Sequence, residues 1–277
     1  MTLPSPSRRL MLSGLAGALT APTPALSRPP RFAWPGGARA AVSLTYDDGL
    51  NSQLDNVAPS LDAEGFRGTF FLTGYNIQWR LKDWAAVAAA GHELGDHTMN
   101  HPCALGRYSA ARFEREEIAP TQQLLASEDG EGQPRLFAYP CGYTGLGAGP
   151  ARARRARYLD LIKQTFAAAR TTAGPPNDPR RVARNAYRLH AFEPTYQSQD
   201  PQAAFRYLDS AMATGGWAIL VFHEVLPTPQ AEGDTSIATH QQILDWIKSK
   251  PLWVAPMGEA LDYIASNQPK HARRSVG

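Results

Sequence analysis

Trp217-Ala-Ile-Leu-Val-Phe222 is six apolar residues in a row, set between Gly215-Gly216 and His223. A run so short and uniform suits a strand covered on both faces, and such strands belong to parallel sheets wrapped by helices. The rest of the chain repeats the theme. Ala40–Tyr46, Gly68–Thr73, Arg135–Tyr139 and Leu252–Ala255 are strand-like, and His92–Thr98 supplies another strand with its loop. Between them lie segments of helical period: Leu54, Val57 and Leu61 ending near Gly65, then Asp83–Ala90, Ser109–Ser127, Ala151–Thr165, Pro201–Thr214, Thr239–Ser249 and Gly258–Ser266. The alternation predicts βαβ units and an α/β fold. Closed on itself, such a sheet is a TIM-like barrel, whose chemistry gathers at the carboxyl ends of the strands. A chain of 277 residues suffices for one such domain.

Two carboxylates stand side by side where the first strand ends, in Ser43-Leu-Thr-Tyr-Asp-Asp-Gly-Leu50. Asp-Gly is a common turn pair, but adjacent like charges repel, and a cation beside one of them would relieve that cost. Gly95-Asp-His-Thr-Met-Asn-His-Pro102 offers the complement. His97 and His101 are four apart, so the spacing predicts one helical turn that aims both imidazoles the same way. Two neutral imidazoles and a carboxylate make a facial set for zinc or a similar divalent ion, with positions left open for water and substrate. In a barrel, Asp47 and Asp48 follow the first strand, Pro140-Cys141-Gly142 a middle one and His223 the run Trp217–Phe222. All are expected on one rim.

Residues 1–27 read as an address. Arg8-Arg9 precedes an apolar stretch from Leu10 to about Ala21, too short to span a bilayer, and Ala25-Leu26-Ser27 offers small residues for cleavage. The paired arginines resemble a twin-arginine signal, so export to the periplasm or beyond is expected, without stable membrane insertion. Residues 28–38, rich in Pro and Gly, are expected to be a linker, 39–268 the folded domain and 269–277 a basic flexible tail. The net charge is +3; without residues 1–27 there remain 26 basic against 25 acidic residues. That balance leaves no footprint for a nucleic-acid backbone.

TYDDG, HTMNH, FAYPCG and LVFH, in that order over roughly residues 39–265, resemble the motifs of the polysaccharide deacetylases, the NodB-homology domain or carbohydrate esterase family four. The resemblance implies a distorted (β/α) barrel, TIM-like with about seven strands. It implies removal of acetyl groups from an acetylated carbohydrate, as N-acetyl amides or O-acetyl esters. By it Asp48, His97 and His101 are the metal ligands, with zinc the first choice of divalent ion. Asp47 is the general base for a water whose pKa the metal lowers from 15.7 toward about 7. His223 is the general acid for the leaving amine or alcohol. The backbone N–H of Cys141 is the oxyanion donor, and loss of such a donor costs about 100-fold or more in rate.

Two family features are missing. Many members carry an arginine, paired with the base aspartate, where this chain has Ala138. Arg135, Arg181 and Arg184 are candidate substitutes, with Arg184 favoured. The fourth motif, which orients the acid histidine, is not recognisable, and Asp178 is the candidate replacement. Cys103 and Cys141 would border the same pocket, as a disulfide, as two free thiols or as an extra metal ligand. Two other functional readings stay open. One is a metal-independent cyclic amide or imide hydrolase of the same superfamily. The other is a non-catalytic carbohydrate-binding relative that stacks sugars on Tyr75, Trp79, Trp84 and Tyr143.

Overall fold

Apolar strands without polar alternation need cover on both sides, and the chain provides it with an inner and an outer packing layer. A computed structural model describes Met1 and residues 31–129 and 134–267. A boundary between Pro30 and Arg31 divides the chain into two units, and the second holds everything discussed below. Beyond Met1, the expected signal segment 1–27 and the expected tail 269–277 lie outside the described residues. No helix among the described residues is long and apolar enough to cross a membrane.

The strands are β1 (Ala40–Asp48), β2 (Thr69–Leu72), β3 (Glu93–Asp96), β4 (Leu136–Ala138), β5 (Ala168–Arg170), β6 (Trp217–Phe222), β7 (Val225–Leu226), β8 (Thr235–Ser236) and β9 (Leu252–Val254). β7 and β8 pair with each other, and the remaining seven form one parallel sheet in the order β5-β4-β3-β2-β1-β6, with β9 also on β1. The pleat sends alternate residues to opposite faces. Ala40, Val42, Leu44 and Tyr46 join an outer core with Leu61, Leu208 and Ile243 from the surrounding helices. Ala41, Phe71, Leu136, Ala138, Ala168, Trp217, Ile219 and Val221 fill the inside. Gly95 on β3 makes room there, since a Cβ at that position would lie 2.5 Å from the Phe71 ring.

An irregular segment closes the curled sheet. Leu189 N–H donates to the Ala169 carbonyl (3.0 Å) and Thr171 N–H to that of Leu189 (2.9 Å). Phe192 N–H donates to Ile219, and Val221 N–H to Phe192, both at 2.9 Å. Residues 189–192 thus touch β5 and β6 at once and stand where a further strand would, which gives the distorted (β/α) barrel expected.

Three local expectations fail. β5 went unpredicted, because Ala168-Ala169-Arg170 lacks the β-branched and aromatic residues that mark strands. Residues 31–37, expected within a linker, pack onto the barrel: Trp34 is buried among the inner core residues, its indole N–H donates to Gly215 O (3.0 Å), and Tyr263 Oη donates to Ala33 O (2.9 Å). Aromatic side chains there outweigh the loosening effect of Pro and Gly. Finally, no helix spans His97–His101. The segment is a loop with left-handed backbone at Thr98 (φ 70°) and His101 (φ 50°).

Candidate active site

The inward parity of the pleat is what assembles the site. On β1 the inward series runs Ala41, Ser43, Thr45 and reaches Asp47; on β5 it runs Ala168, Arg170; on β6 it runs Trp217, Ile219, Val221 and continues to His223. A regular strand would send Asp48 to the face opposite Asp47. Its left-handed backbone (φ 78°) breaks the alternation. Asp48 Oδ1 then lies 3.6 Å from Nε2 of both His97 and His101, while Asp47 Oδ2 lies 3.8 Å from His97 Nε2. Among the described residues, four other than glycine have left-handed backbone, Asp48, Thr98, His101 and Cys141, and all four border this site. Such backbone costs about 1–3 kcal/mol per residue and persists where surrounding structure imposes it.

The donor set fits a divalent cation. One ligand atom from each of Asp48, His97 and His101 lies within 4.8 Å of the others. His97 Nδ1–H donates to the Ala138 carbonyl at 2.9 Å, which leaves Nε2 with its lone pair toward the carboxylates. Burial lowers the His97 pKa, more than Asp47 and Asp48 raise it, and so keeps the ring neutral as a ligand must be. Behind it, Asp96 Oδ1 accepts from Thr98 N–H at 2.7 Å and Oδ2 from Gln122 at 2.5 Å, pinning the loop as it leaves β3.

Asp47 is 1% exposed and is held by a residue that sequence reasoning missed. Arg170, 0% exposed, donates through Nη2 to Asp47 Oδ1, and its guanidinium lies 4.6 Å from the centre of the Phe71 ring. Burial alone would raise the Asp47 pKa; the Arg170 charge, then His97 and His223, outweigh it and leave the carboxylate lowered and ionised. Ala138 and Arg170 are register partners on β4 and β5. The guanidinium absent from position 138 therefore enters from the adjacent strand at the same height. The usable signal was a lone arginine closing an alanine run after the helix Ala151–Thr165.

The favoured substitutes lie elsewhere. Arg184 is exposed on the helix Val182–Asn185. Arg181 pairs with Asp178 at 3.7 Å, and Arg135 Nη1 donates to Leu94 O. Asp178 is exposed and caps a 3-10 turn by accepting from Arg180 N–H at 3.0 Å, so it does not orient His223. Besides Asp47, the carboxylate that shares a groove with His223 is Glu193, which directly follows the barrel-closing segment. Burial raises its pKa, against the pull of His223. Gln53 ties the two sides of the site together: its amide donates to the carbonyls of Asp47 and of His223.

The groove measures about 730 Å³ and includes Asp47, His97, His101, Cys141, Glu193 and His223 in its wall. Cys141 is left-handed (φ 54°), and its N–H donates to no protein acceptor among the described residues. Cys141 and Cys103 form a disulfide with Cα atoms 5.7 Å apart, which joins the loop after β4 to the loop that carries His101. Of the aromatics expected to stack on sugars, Trp84 is buried against Phe70 and belongs to the core. Tyr75, on the short helix Gly74–Ile77, and Trp79 (83% exposed), Tyr143 and Tyr196, in irregular segments, are exposed.

Comparisons with known proteins bear on the family and the fold. Residues 34–154 match the family model of polysaccharide deacetylase. A peptidoglycan-N-acetylglucosamine deacetylase of Bacillus cereus is 30% identical over 105 residues, 38% of this chain and 37% of that protein. A gellan lyase of a Bacillus species is 23% identical over 262 residues, 86% of this chain but 10% of that protein. The chain thus spans well under two thirds of the length of these relatives. The peptidoglycan deacetylase PdaC from Bacillus subtilis shares the fold, with a TM-score of 0.53 and 19% identity over 82% of this chain and 92% of that one. So does a CE4 family pseudoenzyme from Bacillus anthracis, with a TM-score of 0.52 and 18% identity over 80% and 66%. A fold shared by both kinds of protein leaves the chemistry to the side chains. Residues 34–154 are polysaccharide deacetylase domain, and the described chain has the fold of solved members of that family.

Proposed function

We propose that this protein is an exported, metal-dependent hydrolase that removes acetyl groups from a polysaccharide or oligosaccharide. The observation that carries the reading is the convergence of Asp48, His97 and His101 to within 4.8 Å, beside a second buried carboxylate that Arg170 keeps ionised. Asp48, His97 and His101 would hold a divalent cation, zinc by preference, and such an ion supplies Lewis acidity and lowers the pKa of coordinated water toward about 7.

The side chains divide the remaining work. Asp47 takes the proton of the attacking water. The N–H of Cys141 meets the oxyanion that forms as water adds to the acetyl carbon. His223 gives its proton to the departing nitrogen or oxygen of the sugar, and acetate is the other product. Glu193 lines the same groove as His223. Exposed Tyr75, Trp79, Tyr143 and Tyr196 around the rim suit a chain of sugar rings, which present apolar faces to aromatic planes. With Arg170 on Asp47, the missing arginine no longer argues for a non-catalytic relative. Export is supported by Arg8-Arg9 ahead of a short apolar stretch and by the disulfide, a bond favoured in oxidising compartments.

The test is acetate release from acetylated chito-oligosaccharides, peptidoglycan fragments and acetylated xylan by the purified protein. Turnover should vanish with a chelator, return with zinc, and fall by at least about 100-fold in Asp47→Asn. Full activity in chelator, or no acetate from any of these substrates with any divalent metal, would refute the reading.

A further inference from the structure

A second cavity adjoins the first, and its wall is basic. The Cys103–Cys141 disulfide separates the two: Cys141 lines the catalytic groove, and Cys103 lines a neighbouring groove of about 660 Å³. Tyr143, Thr144, Gly145, Arg154 and Arg155 line the second groove. A smaller cleft continues from it, sharing Thr144 and Arg155 and adding Arg152 and Arg188. No carboxylate lines either cavity.

These arginines are otherwise unspent. Among the described residues, Arg152, Arg154, Arg155 and Arg188 make no ion pair, whereas Arg67, Arg80, Arg112, Arg115, Arg180 and Arg181 all do. The Nε of Arg154 is buried with no hydrogen-bond partner. Three of the four project from the first turns of the helix Ala151–Thr165, whose amino-terminal dipole adds to their positive field. The chain outside residues 1–27 is close to neutral, so this concentration is local. Unpaired like charges repel and cost stability, and a ligand of opposite charge would remove that cost.

We infer that the groove beside the disulfide binds an acidic sugar, one that carries a carboxylate, as a neighbouring unit of the glycan whose acetyl group enters the catalytic groove. Guanidinium forks match a carboxylate in two-point geometry, and Tyr143, 57% exposed, offers a face for the same sugar ring. The groove borders the site through a single disulfide, which suits units joined in one chain. The inference rests on the carbohydrate reading above and narrows it to acidic or mixed acidic glycans.

Equilibrium binding tests it without relying on turnover. The probes are a hyaluronan hexasaccharide, alternating uronic acid and N-acetylated amino sugar, and the same hexasaccharide with its carboxylates reduced to alcohols. The acidic form should bind about tenfold tighter at low salt, the scale of one well-made hydrogen bond to a charged group, and the gap should narrow as salt rises. Arg154→Gln/Arg155→Gln should erase the gap while leaving the affinity of the reduced form unchanged, and Arg154→Lys/Arg155→Lys should restore part of it. Thermal melting checks the fold, and Arg155→Gln alone, at an exposed position, should lose part of the gap if the double variant melts early. Equal affinity for both forms, no binding of either, or a gap that survives the glutamine variants overturns the inference. Tighter capture of a hexathymidylate than of the acidic hexasaccharide overturns it too, by making the groove a phosphate site. Failure of the deacetylase reading shows separately, as absence of acetate release.

Discussion

Arg170→Met would remove a buried positive charge while keeping most of the volume that packs on Phe71. Arg170 is fully enclosed and Asp47 nearly so, so the carboxylate left behind would meet water only at its groove edge and would have no second arginine paired to it. Breaking a buried ion pair from one side costs about 3–5 kcal/mol, most of it the penalty of the stranded partner. Asp47→Asn strands Arg170 in the same way and should cost about as much. The double variant strands neither, so its cost should match one single variant rather than the sum, a coupling of about 3 kcal/mol. Urea denaturation of the four proteins after chelator treatment measures this, since bound metal would otherwise add stability of its own. Additive costs, within about 0.5 kcal/mol, would show that Arg170 and Asp47 do not depend on each other and would remove the physical basis for an ionised base in this site.

The same interior predicts an exchange between strands. Ala138→Arg alone should destabilise by about 1–3 kcal/mol, because it overpacks a filled interior and sets two guanidinium groups side by side; combined with Arg170→Ala it should cost distinctly less, read by the same denaturation assay. His240 is buried, with Nε2 2.8 Å from the Tyr46 hydroxyl, and burial lowers its pKa to about 4. The unfolded chain therefore takes up a proton near pH 6.5 that the folded one refuses until about pH 4. Stability should fall as pH drops through that window, by up to about 3 kcal/mol, and His240→Gln should flatten the profile there. The disulfide closes a loop with sequence separation 38. Reduction should cost about 4 kcal/mol by the chain-entropy argument, and thiol titration of the unreduced protein should find none free.

Much of the barrel was legible along the chain because its signals are local. Trp217–Phe222 appears as a strand over the same residues that the apolar run marked, and Ala151–Thr165 as a helix over its full predicted span. The motif order also named Asp47, Asp48, His97, His101 and His223, which the fold does bring to one rim. The reason given for one pair was wrong, however. His97 and His101 meet through a loop with two left-handed residues, not through a helical turn. A spacing of four is compatible with both, and only the surrounding contacts choose.

What the chain alone determined was most of the elements and the parity of the longer strands, since side-chain alternation and apolar periodicity follow from neighbours within a few residues. What the tertiary structure decided was pairing across long separations. Arg170 meets Asp47, 123 residues away, from a three-residue strand without any β-forming side chain. Leu189–Phe192 closes the barrel through bonds to both edges, although its own residues form no regular strand. Such contacts depend on the energy of burying a charge beside its counter-charge and on the demand that every backbone amide find a partner. Those quantities exist only once the sheet has curled, so no local pattern records them.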